Sequence, residues 1–341
     1  MEKIDIKSIR LNSLKEDLGK IGFPSYRAFQ IFDWIYKKGV SEFSQMDNLP
    51  GTLRERLDRA YYICNIMPKE HLKSYDGTEK VLFELLDRNL IETVLIRSFN
   101  RNTICLSTQV GCRFRCRFCA SGEKGFVRNL SSSEIIDQIL FFNHYLDRKI
   151  DNFVFMGMGE PLDNFGSLSK AILIMNSPSM LGIGARRITV STCGIVPGIE
   201  KLNDISLQIN LSISLHASNN TLRDVLVPVN RTYPIEKLIK ACKFYLKDSN
   251  RKITLEYVVI KGENDSQEDI KGLSKIARTL KAKVNLIPYS PVPGKKYIEP
   301  TEKELDLCKS ALENSKISVT IRESKGKDIY AACGQLAMRK L

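Results

Sequence analysis

Three cysteines fall within eight residues, in Cys112-Arg113-Phe114-Arg115-Cys116-Arg117-Phe118-Cys119. Thiolates are soft metal ligands, and four of them normally hold a four-iron cluster. A set of three leaves one iron open to an outside ligand, as catalytic metal centres do. Zinc is the alternative, but it takes a fourth Cys or His. The only histidines are His71, His144 and His216, with Cys105 a further donor seven residues before Cys112. The chain has nine cysteines, and they are clustered rather than spread as a disulfide framework would be. That pattern predicts a reducing, cytoplasmic setting and metal or redox chemistry.

Two further stretches could do chemistry. Met156-Gly157-Met158-Gly159-Glu160-Pro161 combines glycines, which let a ligand approach the backbone, with a carboxylate that can accept from an ammonium group. In residues 208–216, Ile209, Leu211, Ile213 and Leu215 share one strand face, while Ser212, Ser214 and His216 share the other. Residues 185–192 set Ile188 and Val190 against Thr189 and Ser191, and residues 103–109 set Ile104 and Leu106 against Cys105, Ser107 and Gln109. A parallel strand buried on both faces should be apolar throughout. Polar faces therefore point to an interior that opens on a ligand.

The elements that must position these groups follow from periodicity. The first ninety residues read as mostly helical, with apolar spacing at Ile6, Ile9, Leu14 and Leu18 and again at Ala28, Ile31, Phe32 and Ile35. From Thr78 to Thr108 the pattern turns to short β runs separated by Asp87-Arg88-Asn89 and Asn100-Arg101-Asn102. Beyond them, strands are expected near Thr103, Asn152, Ala185, Gln208, Arg251 and Ala282. Helices are expected over Ser133–Asp147, Phe165–Asn176, Pro234–Ser249 and Ser266–Leu280, two of them behind serine N-cap signals. Six βα units are too few for a closed eight-unit barrel, so an open six-unit barrel or a doubly wound sheet fits.

Length and charge bound the function. A chain of 341 residues suits about two domains, and no apolar run reaches the roughly 20 residues of a membrane span. The opening residues carry no apolar stretch of the secretory kind, so no membrane or secretory partner is expected. The formal charge is +13. Residues 91–130 carry seven basic and two acidic side chains, and residues 281–341 carry twelve and seven. If these segments meet in space they form a cationic surface suited to phosphates.

The C-x3-C-x2-C spacing after a first barrel strand resembles the radical S-adenosylmethionine (SAM) superfamily. Six stretches, in order, are similar to the RlmN-type RNA adenine-C2 methyltransferases. They are Thr108-Gln109-Val110-Gly111-Cys112, Gly157-Met158-Gly159-Glu160-Pro161-Leu162, Val190-Ser191-Thr192, Ser214-Leu215-His216-Ala217, Asn285-Leu286-Ile287-Pro288 and Ala331-Ala332-Cys333-Gly334-Gln335-Leu336. The resemblance runs from about Leu82 to Leu336. Val110 and Pro161 look more like the C2 enzymes than like the Cfr-type enzymes that methylate adenine C8, which stay as an alternative.

The resemblance implies an α/β fold: a partial (βα)6 radical SAM barrel with an N-terminal helical domain and a short β extension. Residues 1–90 would be a helical, RNA-binding accessory domain, and residues 91–341 the barrel with the Cys333 segment. It implies a [4Fe-4S] cluster on Cys112, Cys116 and Cys119 that cleaves SAM to a 5′-deoxyadenosyl radical, with two SAM used per turnover. Cys333 would carry the methyl group as methyl-cysteine. Cys105 would resolve the resulting RNA–protein link through a Cys105–Cys333 disulfide. Glu92 would be a proton acceptor. SAM would be held by Gly159, Glu160, Ser191, Ser214, Leu215 and His216, and by Ser290 where the family often has Asn. The implied substrates are 23S rRNA at adenine-2503 and tRNA at adenine-37. A flavodoxin-like reducing partner would serve a cytoplasmic monomer. Cys64, Cys193, Cys242 and Cys308 are read as structural. Two rivals stand beside this reading: another radical SAM enzyme acting on a small molecule or peptide, and a non-catalytic zinc RNA-binding module.

Overall fold

The computed structural model describes residues 3–123, 125–146, 149–247 and 252–337. The expected strand start at Arg251 and the expected helix ends at Asp147 and Ser249 lie outside the described residues. At the N-terminus, β1 (Ile4–Asp5) pairs in parallel with β2 (Tyr61–Tyr62), and between them run α1 (Leu11–Lys20), α2 (Arg27–Tyr36) and α3 (Gly51–Ala60). The apolar positions read from the sequence, Leu14, Leu18, Ala28, Ile31, Phe32 and Ile35, are all buried.

One ten-stranded sheet organises the rest. Its members are β3 (Met67–Lys73), β4 (Glu79–Glu84), β5 (Leu90–Ser98), β6 (Arg101–Cys105), β9 (Asn152–Phe155), β10 (Ile188–Thr192), β11 (Asn210–Ser214), β12 (Ile253–Val259), β13 (Lys283–Pro288) and β14 (Val319–Ile321). A separate pair, β7 (Gln109–Gly111) and β8 (Phe126–Asn129), brackets the cysteine-rich loop. From β6 to β14 each strand pairs in parallel with its neighbour. From β3 to β6 the pairing is antiparallel. Crossover connections carry α4 (Ser132–Tyr145), α5 (Phe165–Asn176), α6 (Val196–Lys201), α7 (Asn220–Leu226), α8 (Ile235–Leu246), α9 (Gln267–Leu280) and α10 (Glu302–Asn314).

All six expected barrel strands form. Two elements were missed at the ends of the sheet. β3 lies in a stretch read as helical because its mostly exposed edge residues show no clean alternation. β14 has only three residues, too few to carry a period. The serine caps hold: Ser131 Oγ accepts from the Glu134 N–H, and Ser266 Oγ accepts from the Asp269 N–H. The N-terminal helices dock on α4 through buried Lys7, which donates to Asp137 and, at 2.7 Å, to the Cys64 carbonyl.

After β14 the chain crosses from that strand to the antiparallel extension, and this strap closes one side of the barrel. Gly326 N–H donates to Asp76 at 2.8 Å, and Ser74 Oγ donates to Asp328 at 2.6 Å. Lys80 Nζ reaches the Tyr330 carbonyl at 3.4 Å. The cysteine-rich loop binds the strap as well: Ala120 N–H donates to the Gly334 carbonyl at 2.7 Å, and Ser121 Oγ to the Leu336 carbonyl at 2.7 Å.

Candidate active site

Two adjoining cavities lie at the carboxyl ends of the strands and share Cys333 and Arg322 as wall. The larger has about 870 Å³ of empty space and is lined by Cys112, Cys116 and Cys119 together with Gly157, Gly159, Glu160, Ser191, Ser214, His216 and Glu256. Burial pushes the Cys112 thiol up to about 12 and raises Cys116 and Cys119 as well. Buried thiols of this kind need a cationic group before they become ligands. Among the described residues, no three His, Cys, Asp or Glu side chains converge tightly enough to share one metal ion. Three thiols on one cavity wall can each take one iron of a four-iron cluster.

The turn after β9 is built for close approach. Gly159 has φ +95, and a Cβ there would come within 2.5 Å of Gln109. Glu160 is buried and fixed: its oxygens accept from Cys193 N–H at 2.8 Å and Leu162 N–H at 3.0 Å, while its own N–H donates to Gln109. Ser191 and Ser214, on the polar faces read from the sequence, meet at 3.3 Å. His216 sits at φ +56, an unusual conformation for a β-substituted residue and one that functional sites tolerate. Its Nδ1 accepts from Val258 N–H at 3.0 Å, so Nε2 carries the proton. Burial lowers its pKa to about 3, which keeps the ring neutral. Below these groups Glu256 accepts from Ser212 at 3.1 Å and Asn285 at 2.7 Å.

The smaller cavity, about 580 Å³, is lined by Val94, Ile96, Cys105, Met156, Arg322 and Cys333, among others. Cys105 ends β6 and Cys333 comes from the strap, so one cavity receives two cysteines from opposite ends of the barrel chain. Burial pushes Cys105 up to about 12, against the pull of the Arg322 guanidinium on the same cavity wall. All nine cysteines are free thiols, so the expected Cys105–Cys333 disulfide is not formed in this structure.

Three expected site residues stand outside both cavities. Leu215 is packed in the main core, and its carbonyl accepts from Arg223. Ser290 is buried and donates to Ser324 at 3.1 Å. Glu92 is buried: Lys80 Nζ lies 3.0 Å from Oε1, and Ala337 N–H donates to Oε2 at 2.8 Å. In this conformation Glu92 fastens the strap. Sequence reading missed Glu256 and Arg322. Neither belongs to a motif, and a charge inside a barrel is signalled only by the register of its neighbours.

The Radical SAM superfamily model matches residues 106–273, and the Ribosomal RNA large subunit methyltransferase N-terminal domain model matches residues 4–63. A crystal structure of a radical SAM methyltransferase from Sphaerobacter thermophilus superposes with TM-score 0.93 at 40% identity, covering 98% of this chain and 99% of that one. A protein of Clostridium novyi described as a probable dual-specificity RNA methyltransferase RlmN is 43% identical over 334 residues, 97% of each chain. One of the same description from Thermoanaerobacter sp. is 44% identical over 338 residues, covering 99% of this chain and 98% of the other. The chain belongs to the RlmN family of radical SAM RNA methyltransferases. As an RlmN-family member it is a transferase, and the superfamily implies SAM and a four-iron cluster. The larger cavity, with Cys112, Cys116 and Cys119 among its thiols and a polar rim of Glu160, Ser191, Ser214 and His216, fits both.

Proposed function

We propose that this RlmN-type enzyme methylates C2 of adenine in 23S rRNA and in tRNA, at adenine-2503 and adenine-37 respectively, by way of a methyl group carried on Cys333. The observation that carries the reading is the placing of Cys333 between the two cavities, with Cys105 beside it in the smaller one. Adenine C2 lies between two ring nitrogens and is electron-poor, so it cannot displace the methyl of SAM directly. A thiolate can. Cys333 takes the methyl group from one SAM by displacement at carbon, and S-adenosylhomocysteine leaves. When bound, the cluster and a second SAM supply one-electron chemistry that removes a hydrogen atom from that methyl group. The methylene on Cys333 then joins C2, which leaves RNA and protein covalently linked. Cys105 removes the C2 proton. One electron passes to the oxidised form of the flavodoxin-like partner as that proton is lost, and the Cys105 sulfur then bonds to that of Cys333 as the sulfur–carbon bond breaks and the methylene takes up the proton. A reducing partner, flavodoxin-like in this reading, restores both thiols.

The cluster is held by Cys112, Cys116 and Cys119, and the SAM end groups by Gly159, Glu160, Ser191, Ser214 and His216. Leu215 and Ser290 act at one remove, through the turn and through Ser324. Glu92 serves as proton acceptor only when the strap shifts and frees it.

Several features support an RNA substrate. Arg113, Arg115 and Arg117 are exposed between the cluster cysteines, with Arg113 paired to Asp163 at 2.9 Å, and Lys325 and Lys327 pair with Glu323 and Glu299. On the N-terminal helices, four cations lie over aromatic rings: Lys15 on Phe29, Arg27 on Tyr26, Lys38 on Trp34 and Arg56 on Phe23. Interleaved cations and rings suit phosphates and unstacked bases. We therefore assign residues 1–90 to RNA docking and residues 91–341 to catalysis, in a cytoplasmic monomer. Mass spectrometry of rRNA and tRNA after incubation with SAM and a reductant tests the reading. 2-Methyladenine is expected in both. 8-Methyladenine would move the protein to the Cfr-type reaction, and no RNA product would overturn the substrate.

A further inference from the structure

Arg322 follows β14 directly, and its backbone is fixed by donation from its N–H to the Leu286 carbonyl at 2.8 Å. Its side chain lines both cavities. Nη1 lies 3.3 Å from Met156 Sδ, and Cys105 and Cys333 stand on the same wall of the smaller cavity as the guanidinium. The titratable groups that act on its charge are Cys333, Cys105 and Glu256. Glu256 already has Ser212 and Asn285 as partners. The other cation of the smaller cavity, Lys325, is paired with Glu323 at 2.9 Å. Cys105 packs in an apolar cluster with Val94, Val154, Met158, Ile329, Ala331 and Leu336. Such a pocket disfavours a thiolate, and the guanidinium is the group placed to oppose it.

We propose that Arg322 is the positioning residue for Cys105: it holds that sulfur toward Cys333 and stabilises its thiolate when the link to RNA must be broken. The proposal rests on the Cys333 carrier reading for its place in the reaction, but its geometry does not depend on that reading. A guanidinium suits the task because it stays charged throughout and can fork between two sulfurs. Met156 on the same guanidinium fixes its orientation from the β9 side.

The test uses the full chain, purified anaerobically, without SAM or RNA. Diamide, a thiol oxidant, takes two electrons and two protons from a pair of cysteines as a disulfide forms. Formation of the Cys105–Cys333 disulfide is followed by peptide mass spectrometry from about pH 6.5 to 9.5. Arg322→Met should form it on the order of tenfold more slowly near neutrality, with its profile displaced to higher pH, and Arg322→Lys should fall between. With SAM, reductant and RNA, Arg322→Met should accumulate a protein–RNA adduct that resolves when the pH is raised, unlike the adduct of Cys105→Ala. Profiles of folded variants that superpose on the wild type would overturn the proposal. If Arg322→Met fails to fold, an unshifted Arg322→Lys profile does the same. Failure of the carrier reading shows separately, as RNA methylation by Cys333→Ala.

Discussion

The two cavities are built in different ways. The larger draws its wall from one loop and from the ends of successive parallel strands, so its groups are neighbours in the sheet: β10 and β11 bring Ser191 to Ser214, and β11 and β12 bring His216 to Val258. The smaller adds to the ends of β6, β9 and β13 parts that the parallel strands do not supply, with β5 of the antiparallel extension on one side and the strap on the other. A site made from adjacent strand ends is rigid by construction. A site made by laying a strap across a gap is only as firm as the hydrogen bonds that fasten it, and here those come from Ser74, Asp76, Lys80 and Glu92.

The largest expected effect is on the cofactor side. Ala at Cys112, Cys116 or Cys119 should abolish SAM cleavage and most iron binding, read by iron analysis and by 5′-deoxyadenosine formation. A full cluster in any one variant would remove that cysteine from the ligand set. On the transfer side, the same change at two sulfurs should give opposite results. Cys333→Ala should yield no protein–RNA adduct, and Cys105→Ala should trap one that survives denaturing electrophoresis. Equal behaviour of the two variants would erase the distinction between carrier and resolving thiol.

Next comes the fastening of the strap. Lys80 and Glu92 are both buried. Lys80→Met leaves a buried carboxylate without its cation and should cost about 3 kcal/mol, measurable by denaturant unfolding. Proteolysis within residues 323–337 should rise ahead of cleavage in the barrel. Uniform sensitivity would mean that strap and barrel open as one unit. The smallest effect belongs to His216. Its folded value of about 3 lies below the ordinary 6.5, so the unfolded chain takes up the proton first. Its contribution to stability is complete above the ordinary value. As pH falls from there toward 3, it is lost progressively. His216→Asn, which accepts the left-handed backbone, should flatten that acid limb in denaturation series. An unchanged slope would assign the acid sensitivity to other groups.

The same contrast explains what the sequence made legible. Cys112, Cys116 and Cys119 could be read as one group because one loop carries them at fixed spacing, and they line one cavity. Ser212, Ser214 and His216 could be read because strand alternation separates two faces, and the structure places that polar face inward. β3 and β14 escaped because an exposed edge and a three-residue strand carry too little pattern. Pairing Cys105 with Cys333 depended on resemblance, since no local rule joins residues from opposite ends of a barrel. Glu92 shows the limit of that carry-over: the position was found, but not its hold on Ala337. Arg322 and Glu256 were invisible because only the register Glu256–Asn285–Thr320 across three strands brings them below the cavity.

The strap also sets an order of assembly during synthesis. Domains fold as the chain leaves the ribosome, N-terminal parts first. β6 through β13 emerge with the cluster loop already attached, so the cofactor side can form while the rest is still being made. Cys333 and the wall around it emerge last. A chain that stops after Ile321 would retain the three cluster cysteines and the rim for SAM, yet hold no sulfur to receive a methyl group and no Arg322 beside Cys105. Its radical chemistry would have no acceptor in the protein. On the proposed carrier role of Cys333, translation through the final residues of the strap is the step that couples cofactor cleavage to methyl transfer.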